Sequence, residues 1–302
     1  MELVQKACCT LQVNRELNMF RYNLKRLFSY YVFICLWLVM QVAESSSFAQ
    51  LFIQDQYDFC LVTVPKSGTH LLLKLMEGLL HKGKLCPDGG MGYIFEDKSK
   101  THIDEWFESC KRDNKIPICH TNYALDVLNY AEEHDYKIVL HVRDLRDVCV
   151  SYVFWRKREL DLILGEDADF DTRLSCIIDM EYQSPEEELV PMQQFAIFAN
   201  ILKSRSSDII ITRFEDFVGS LGGGDDRLQE ISIKRLCKQL KISCATQNIK
   251  LICGNLFGDS PTFREGKIGS WSEYFNGFHK ALFKEKMGQF LINFGYEKDL
   301  NW

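Results

Sequence analysis

Several signatures that would place this chain quickly are missing. Its 12 cysteines are scattered, with no C-x-x-C pair, and no Asp/His cluster has metal-ligand spacing, so no resident metal is expected. No segment follows G-x-x-x-x-G-K-[ST], and the Gly222-Gly223-Gly224 run lacks the G-x-G-x-x-G order. A Walker A loop and a dinucleotide fingerprint are therefore both absent. There is no internal repeat. There is no excess of positive charge either: the net charge of −6 argues against general nucleic-acid binding. The longest apolar stretch, Leu27–Ala43, falls short of the ~20 residues of a full membrane span.

What the chain does have is an ordinary globular composition, 46% hydrophobic, enough for a large core. Short apolar runs alternate with longer helical stretches. That pattern predicts an α/β fold, a single P-loop-like domain with a central parallel β-sheet flanked by helices. The simplest division is an N-terminal extension, residues 1–50, followed by one domain, residues 51–302. The triple glycine reads as a flexible turn.

The most informative segment is Val64-Pro65-Lys66-Ser67-Gly68-Thr69-His70. The apolar run Phe59–Val64 before it reads as a buried strand, and Leu71–Met76 after it reads as the start of a helix. A strand, a small-residue turn and a helix N-terminus make an anion site. Backbone N–H groups and the positive end of the helix dipole point into the turn. Lys66 adds a mobile cation, and Ser67 and Thr69 add hydroxyl donors. A second strand candidate, Tyr136–Val142, leads into Arg143-Asp144-Leu145-Arg146-Asp147-Val148-Cys149-Val150-Ser151. An Arg at a strand end can grip phosphate through two parallel donors, and Ser151 in the following helix can face the same anion. A third segment, Thr262-Phe263-Arg264-Glu265-Gly266-Lys267-Ile268-Gly269-Ser270-Trp271, lies near the C-terminus.

In this order, the three segments resemble the nucleotide-binding loops of sulfotransferases that use 3′-phosphoadenosine 5′-phosphosulfate (PAPS), in a pattern similar to bacterial members. The resemblance runs from about Tyr57 to the end of the chain. It implies that Lys66, Ser67, Gly68, Thr69 and His70 hold the 5′-phosphosulfate, and that Arg143, Ser151, Arg264 and Gly266 hold the 3′-phosphate. Ile209–Gly219 resembles the family's strand ending in Y-E-D-L, with Phe214 in place of Tyr as a flat face at the nucleotide. Two departures stand out. Leu71 replaces the family's adenine-stacking Trp. Glu265 replaces a Lys, so either it points to solvent or Lys267 supplies the missing charge, because a carboxylate beside phosphate is repulsive.

Sulfuryl transfer to a hydroxyl needs a group to take the acceptor's proton, and His is suited to it. The family places this base after a short strand between the two nucleotide loops, which here is Ile116-Pro117-Ile118-Cys119-His120-Thr121. His120 is thus the expected base, with His70 as the rival in the loop. The resemblance implies in-line displacement, with PAPS as co-substrate, no metal, and Lys66 stabilising charge on the bridging oxygen. The acceptor is expected to be a hydroxyl or amine of a small molecule or glycan. Two other readings stay open: a P-loop kinase-like enzyme, and a catalytically inactive membrane-anchored nucleotide-binding protein.

Arg21, Lys25 and Arg26 precede the apolar run of residues 27–43, and small residues follow it through Ala49. This has the form of a signal or anchor, so the protein is expected to be membrane-associated or exported. The cysteines pull the other way. Export favours a disulfide framework, whereas scattered cysteines suit buried positions in a reducing compartment, so a cytoplasmic location is the alternative. The acidic segments Asp161–Asp171 and Ser184–Glu188 read as solvated surface.

Overall fold

Four short strands build the centre of the molecule: β1 (Phe59–Thr63), β2 (Ile118–His120), β3 (Lys137–Val142) and β4 (Ile209–Arg213). All are parallel, in the order β2-β1-β3-β4, with Leu61 opposite both Ile118 and Val139. The computed structural model describes residues 58–80, 100–112, 115–121, 124–180, 190–205, 209–258, 260 and 263–302. Residues from Tyr57 to Trp302 form one compact unit. The segment 27–43 and the run Ser184–Glu188 lie outside the described residues. Among the described residues, no helix is long and apolar enough to cross a membrane.

The strands read as continuous apolar runs because both faces of the sheet are covered. Side chains alternate across a strand. Cys60 and Val62 of β1 therefore join Ile138, Leu140 and Val142 of β3 on one face, while Phe59 and Leu61 join Val139 and Ile210 on the other. The first face packs on α2 (Lys100–Arg112), α3 (Ala124–His134), α4 (Leu145–Trp155), α6 (Phe170–Asp179), α7 (Met192–Arg205) and α10 (Gly277–Asn293). The second packs on α1 (Thr69–Leu80), α8 (Asp226–Gln239) and α9 (Thr246–Leu256). A short α5 (Lys157–Leu164) follows α4. Cys60, Cys110, Cys119, Cys149 and Cys237 are free thiols at buried positions.

This winding positions the site. α1 leaves the end of β1 toward one face of the sheet, and α4 leaves the end of β3 toward the other. The chain ends of β1 and β3 thus splay apart at a topological switch point, where ligands bind in open α/β sheets. The segment after β1 carries Lys66, and the segment after β3 carries Arg143. β3 begins at Lys137, one residue later than its apolar pattern predicts.

The triple glycine is not the flexible turn expected. Gly222 closes a 3-10 turn (Ser220–Gly222) and is buried. Its carbonyl accepts from Ile268 N at 2.9 Å. A Cβ on Gly222 would lie 2.6 Å from the Gly266 carbonyl oxygen. The absence of a side chain here lets the loop of residues 263–269 dock.

Candidate active site

The segment between β1 and α1 is a tight turn. Lys66 sits in the left-handed region at φ 64°, and Gly68 follows at φ 96°. A non-glycine residue there is strained by about 1 kcal/mol or more, a cost often carried at functional turns. The turn is pinned to β3: Val64 N donates to the His141 carbonyl at 3.1 Å, and Ser67 Oγ donates to the same oxygen at 3.3 Å. Ser67 N donates to Val64 O at 3.0 Å. Both donors of Ser67 are thus engaged within the scaffold, and the residue does not line the cleft described next. The first amides of α1, at Thr69, His70 and Leu71, have no intrahelical acceptor by helix geometry. The first turn of α1 carries no acidic residue that would compete for an anion.

A cleft opens at this point. It brings together Lys66, Gly68, Thr69, His70, His120, Arg143, Ser151, Phe214, Arg264 and Gly266 from segments far apart in the chain. Burial and the neighbouring charges of Arg143, Arg264 and Arg156 push the Lys66 ammonium down to about 8. Burial is the larger cause, and the neighbouring cations add to it. Lys66 Nζ lies 5.3 Å from the centre of the Trp155 ring.

Arg143 is only 7% exposed, so it is not the surface ion pair its acidic neighbours would allow. Its guanidinium stacks 4.3 Å from the centre of the Phe214 ring. Nη2 donates to Lys267 O at 2.7 Å and lies 3.7 Å from Asp147 Oδ2. Nε is buried without a hydrogen-bond partner, a donor left over for a ligand. Phe214 therefore serves as the platform for Arg143 and also packs under Gly68, where a Cβ would meet its ring at 2.5 Å.

The third loop is held from below by Asp147 of α4. Its carboxylate accepts from Gly269 N (2.8 Å), Trp271 N (2.8 Å) and Ser270 Oγ (3.2 Å). Beside it, Arg146 is clamped by Asp144 (2.6 Å) and Glu297 (2.7 Å) and sandwiched between Trp271 and Trp302. Arg146 is thus a buried brace. Glu265 follows neither of the two expectations for it. It lines the cleft and pairs with Arg264 Nη1 at 2.8 Å, while Lys267 is exposed and outside the lining.

His120 ends β2 beside the turn. Its Nδ1 lies 2.9 Å from Thr63 Oγ1 and 3.2 Å from the Thr63 carbonyl. The carbonyl can only accept, whereas the Thr63 hydroxyl can serve either tautomer, so a proton on Nδ1 would satisfy both contacts and leave Nε2 as the basic nitrogen. Burial pushes His120 down to about 4, with the Thr63 carbonyl opposing and His70 assisting. His70, on the same cleft, is also lowered, by burial and then by Lys66 and Lys74.

Three lining aromatics were not singled out as site residues in the sequence. Trp155 lies four residues beyond Ser151, one turn along the same face of α4, which is the signal that could have found it. Phe257 and Phe263 meet edge to face at 5.3 Å. Phe257 precedes Gly258, whose carbonyl is tied to α1 by Lys74 Nζ at 2.6 Å. No local pattern marks Phe257, because that tie joins residues remote in sequence.

Residues 56–192 match the family model described as the sulfotransferase domain. That stretch is just under half of the chain. No curated protein matches the chain. Among solved structures it is similar to mouse sulfotransferase SULT7A1 complexed with PAP, with a TM-score of 0.54 and 20% identity over 82% of this chain and 91% of that one. At that identity the likeness speaks for the fold. The matched stretch contains Lys66, His120, Arg143 and Ser151. Arg264 and Gly266 lie beyond it and reach the cleft through the Asp147 and Gly222 contacts.

Proposed function

We propose that this domain transfers a sulfuryl group from PAPS to a hydroxyl or amine of a small-molecule or glycan acceptor by in-line displacement. One observation carries the reading: two cationic sites, Lys66 with the α1 amides and Arg143 with Arg264, face one cleft that also holds a histidine. Two anion sites in one cleft suit a nucleotide phosphorylated at both ends of its ribose. The buried, unpartnered Nε of Arg143 supports the same fit.

PAPS supplies the sulfuryl group, and adenosine 3′,5′-bisphosphate departs. Lys66 and the amides of Gly68–His70 hold the phosphosulfate, and Lys66 meets the charge growing on the bridging oxygen. Arg143, Ser151, Arg264 and Gly266 hold the 3′-phosphate, with Arg143 steadied by Phe214. Phe257 and Phe263 offer apolar ring surface to the base, in place of the aromatic absent at Leu71. His120 takes the acceptor's proton at Nε2. A bound anion beside it raises its pKa, which burial lowers, toward the operating range. No step requires a metal.

The pairing of Glu265 with Arg264 favours one other reading, a nucleotide-binding protein without transfer activity. Calorimetric titration with adenosine 3′,5′-bisphosphate and with ATP–Mg²⁺ tests the site. The bisphosphate should bind without metal and more tightly than ATP. Arg143→Ala should weaken it by about 1.5–3 kcal/mol, the worth of a charge-assisted pair. Equal affinity for adenosine 5′-phosphate, which lacks the 3′-phosphate, would refute it.

We also infer that residues 51–302 are the catalytic domain and that residues 27–43 of the 1–50 extension act as a signal or anchor. The basic flank and the apolar run support this. Membrane fractionation with N-terminal sequencing tests it: an unprocessed protein in the soluble fraction would favour the cytoplasmic alternative.

A further inference from the structure

Thr63 ends β1, is fully buried, and stands outside the residues that line the cleft. Its hydroxyl makes two side-chain contacts. Oγ1 lies 3.0 Å from Thr69 Oγ1 and 2.9 Å from His120 Nδ1. Thr69 does line the cleft, at the first turn of α1. A continuous line of hydrogen-bonding atoms thus runs from the anion turn to the histidine through one residue.

The direction of that line has chemical content. Each hydroxyl holds one proton, so the chain can be polarised in two ways. In one, Thr69 donates to Thr63, and Thr63 donates to Nδ1. His120 then carries its proton on Nε2 and cannot accept another there, and the Nδ1 lone pair faces the Thr63 carbonyl at 3.2 Å. In the other, His120 Nδ1–H donates to Thr63, and Thr63 donates to Thr69. Nε2 is then the lone-pair nitrogen. An anion in the turn accepts but cannot donate. It therefore accepts a hydrogen bond from the Thr69 hydroxyl, obliges Thr69 to accept from Thr63, and selects the second direction throughout. Aligned bonds in such a chain also polarise one another.

We propose that Thr63 is a positioning residue through which an anion bound at Thr69 fixes the tautomer of His120, so that the base is set for proton removal when the donor nucleotide is in place. The proposal rests on the reading of the cleft as the PAPS site. It adds that the donor and acceptor halves of the reaction are coupled by a buried hydroxyl relay and not by contact alone.

The test uses the full-length protein labelled with ¹⁵N in its histidine rings, with His120 assigned by comparison with His120→Gln. Ring-nitrogen shifts are followed while adenosine 3′,5′-bisphosphate is added. At saturation, His120 should show Nδ1 of the N–H type and Nε2 of the lone-pair type. Thr63→Val keeps the shape and strand propensity of the residue. It should bind the bisphosphate within about threefold of wild type, lose the ligand dependence of the His120 signals, and turn over about tenfold slower with KM for PAPS unchanged, the worth of one neutral hydrogen bond. Thr63→Ser should restore both. Bisphosphate bound with His120 still protonated on Nε2 would overturn the relay while leaving the site assignment standing. So would a Thr63→Val protein with wild-type shifts and rate. Failure of the bisphosphate to bind at all would overturn the site reading and the relay together.

Discussion

At the scale of single residues, the site is built from groups whose ionisation is held off balance by burial. Glu215 is the clearest case. It is half-buried, accepting from Asp144 N at 2.9 Å and Tyr296 Oη at 3.0 Å. Burial pushes its carboxyl up from 4.5 to about 7, against the Asp144 hydrogen bond and the Arg143 charge. The folded protein thus holds a proton that the unfolded chain releases. The resulting stability is fully present below about pH 4.5 and is lost as pH rises through about 7. Urea midpoints measured from pH 6 to 8.5 should show wild type losing on the order of 1 kcal/mol across that window. Glu215→Gln should lack this loss. Parallel curves for the two proteins would show that Glu215 is ionised throughout. The functional link is direct: a neutral Glu215 leaves the charge of Arg143 available to an anion.

At the scale of elements, the two motif turns are held by the sheet, while the third loop is held by contacts remote in sequence. Asp147 fixes Gly269 to Trp271, and Gly222 fixes Ile268 and admits Gly266. Gly222→Ala forces a Cβ to within 2.2 Å of Val218 and 2.6 Å of a backbone oxygen. It should shift the loop, with a stability cost of about 1–3 kcal/mol and a loss of nucleotide affinity of about tenfold or more. Gly223→Ala, at φ 86° with open space around it, should cost about 1 kcal/mol of backbone strain and leave affinity unchanged. Both are read by thermal unfolding and calorimetric titration. Equal losses of affinity would show that the loop does not depend on this contact. The same contrast explains what the sequence disclosed. The strands, the turn at Lys66 and the place of Arg143 were legible because apolar period and turn chemistry are local. The inward pairing of Glu265, the bracing by Arg146 and the platform role of Phe214 were not, because each depends on partners that only the tertiary fold brings near.

At the scale of the whole molecule, an acidic chain concentrates positive charge in one place. The net charge is −6, yet Arg143, Arg264 and Arg156 stand close enough to Lys66 to deepen the lowering of its pKa that burial begins. The winding of a parallel sheet about β1 and β3 makes this concentration feasible, because the segments after both strands open at the same switch point. That arrangement was predictable as a fold class. Trp155 was within reach of its helical spacing from Ser151, but its meeting with Phe257 and Phe263 was not, since the three line one cleft from separate segments. The central claim is transfer, and it is tested by incubating the full-length protein with ³⁵S-labelled PAPS and a panel of hydroxyl and amine acceptors under single-turnover conditions, beside His120→Ala. Labelled sulfate should pass to at least one acceptor, without added metal, and His120→Ala should slow that transfer by about 10²–10⁴ at nearly unchanged affinity for adenosine 3′,5′-bisphosphate. Tight binding of the bisphosphate with no transfer to any acceptor, or transfer at full rate by His120→Ala, would contradict it.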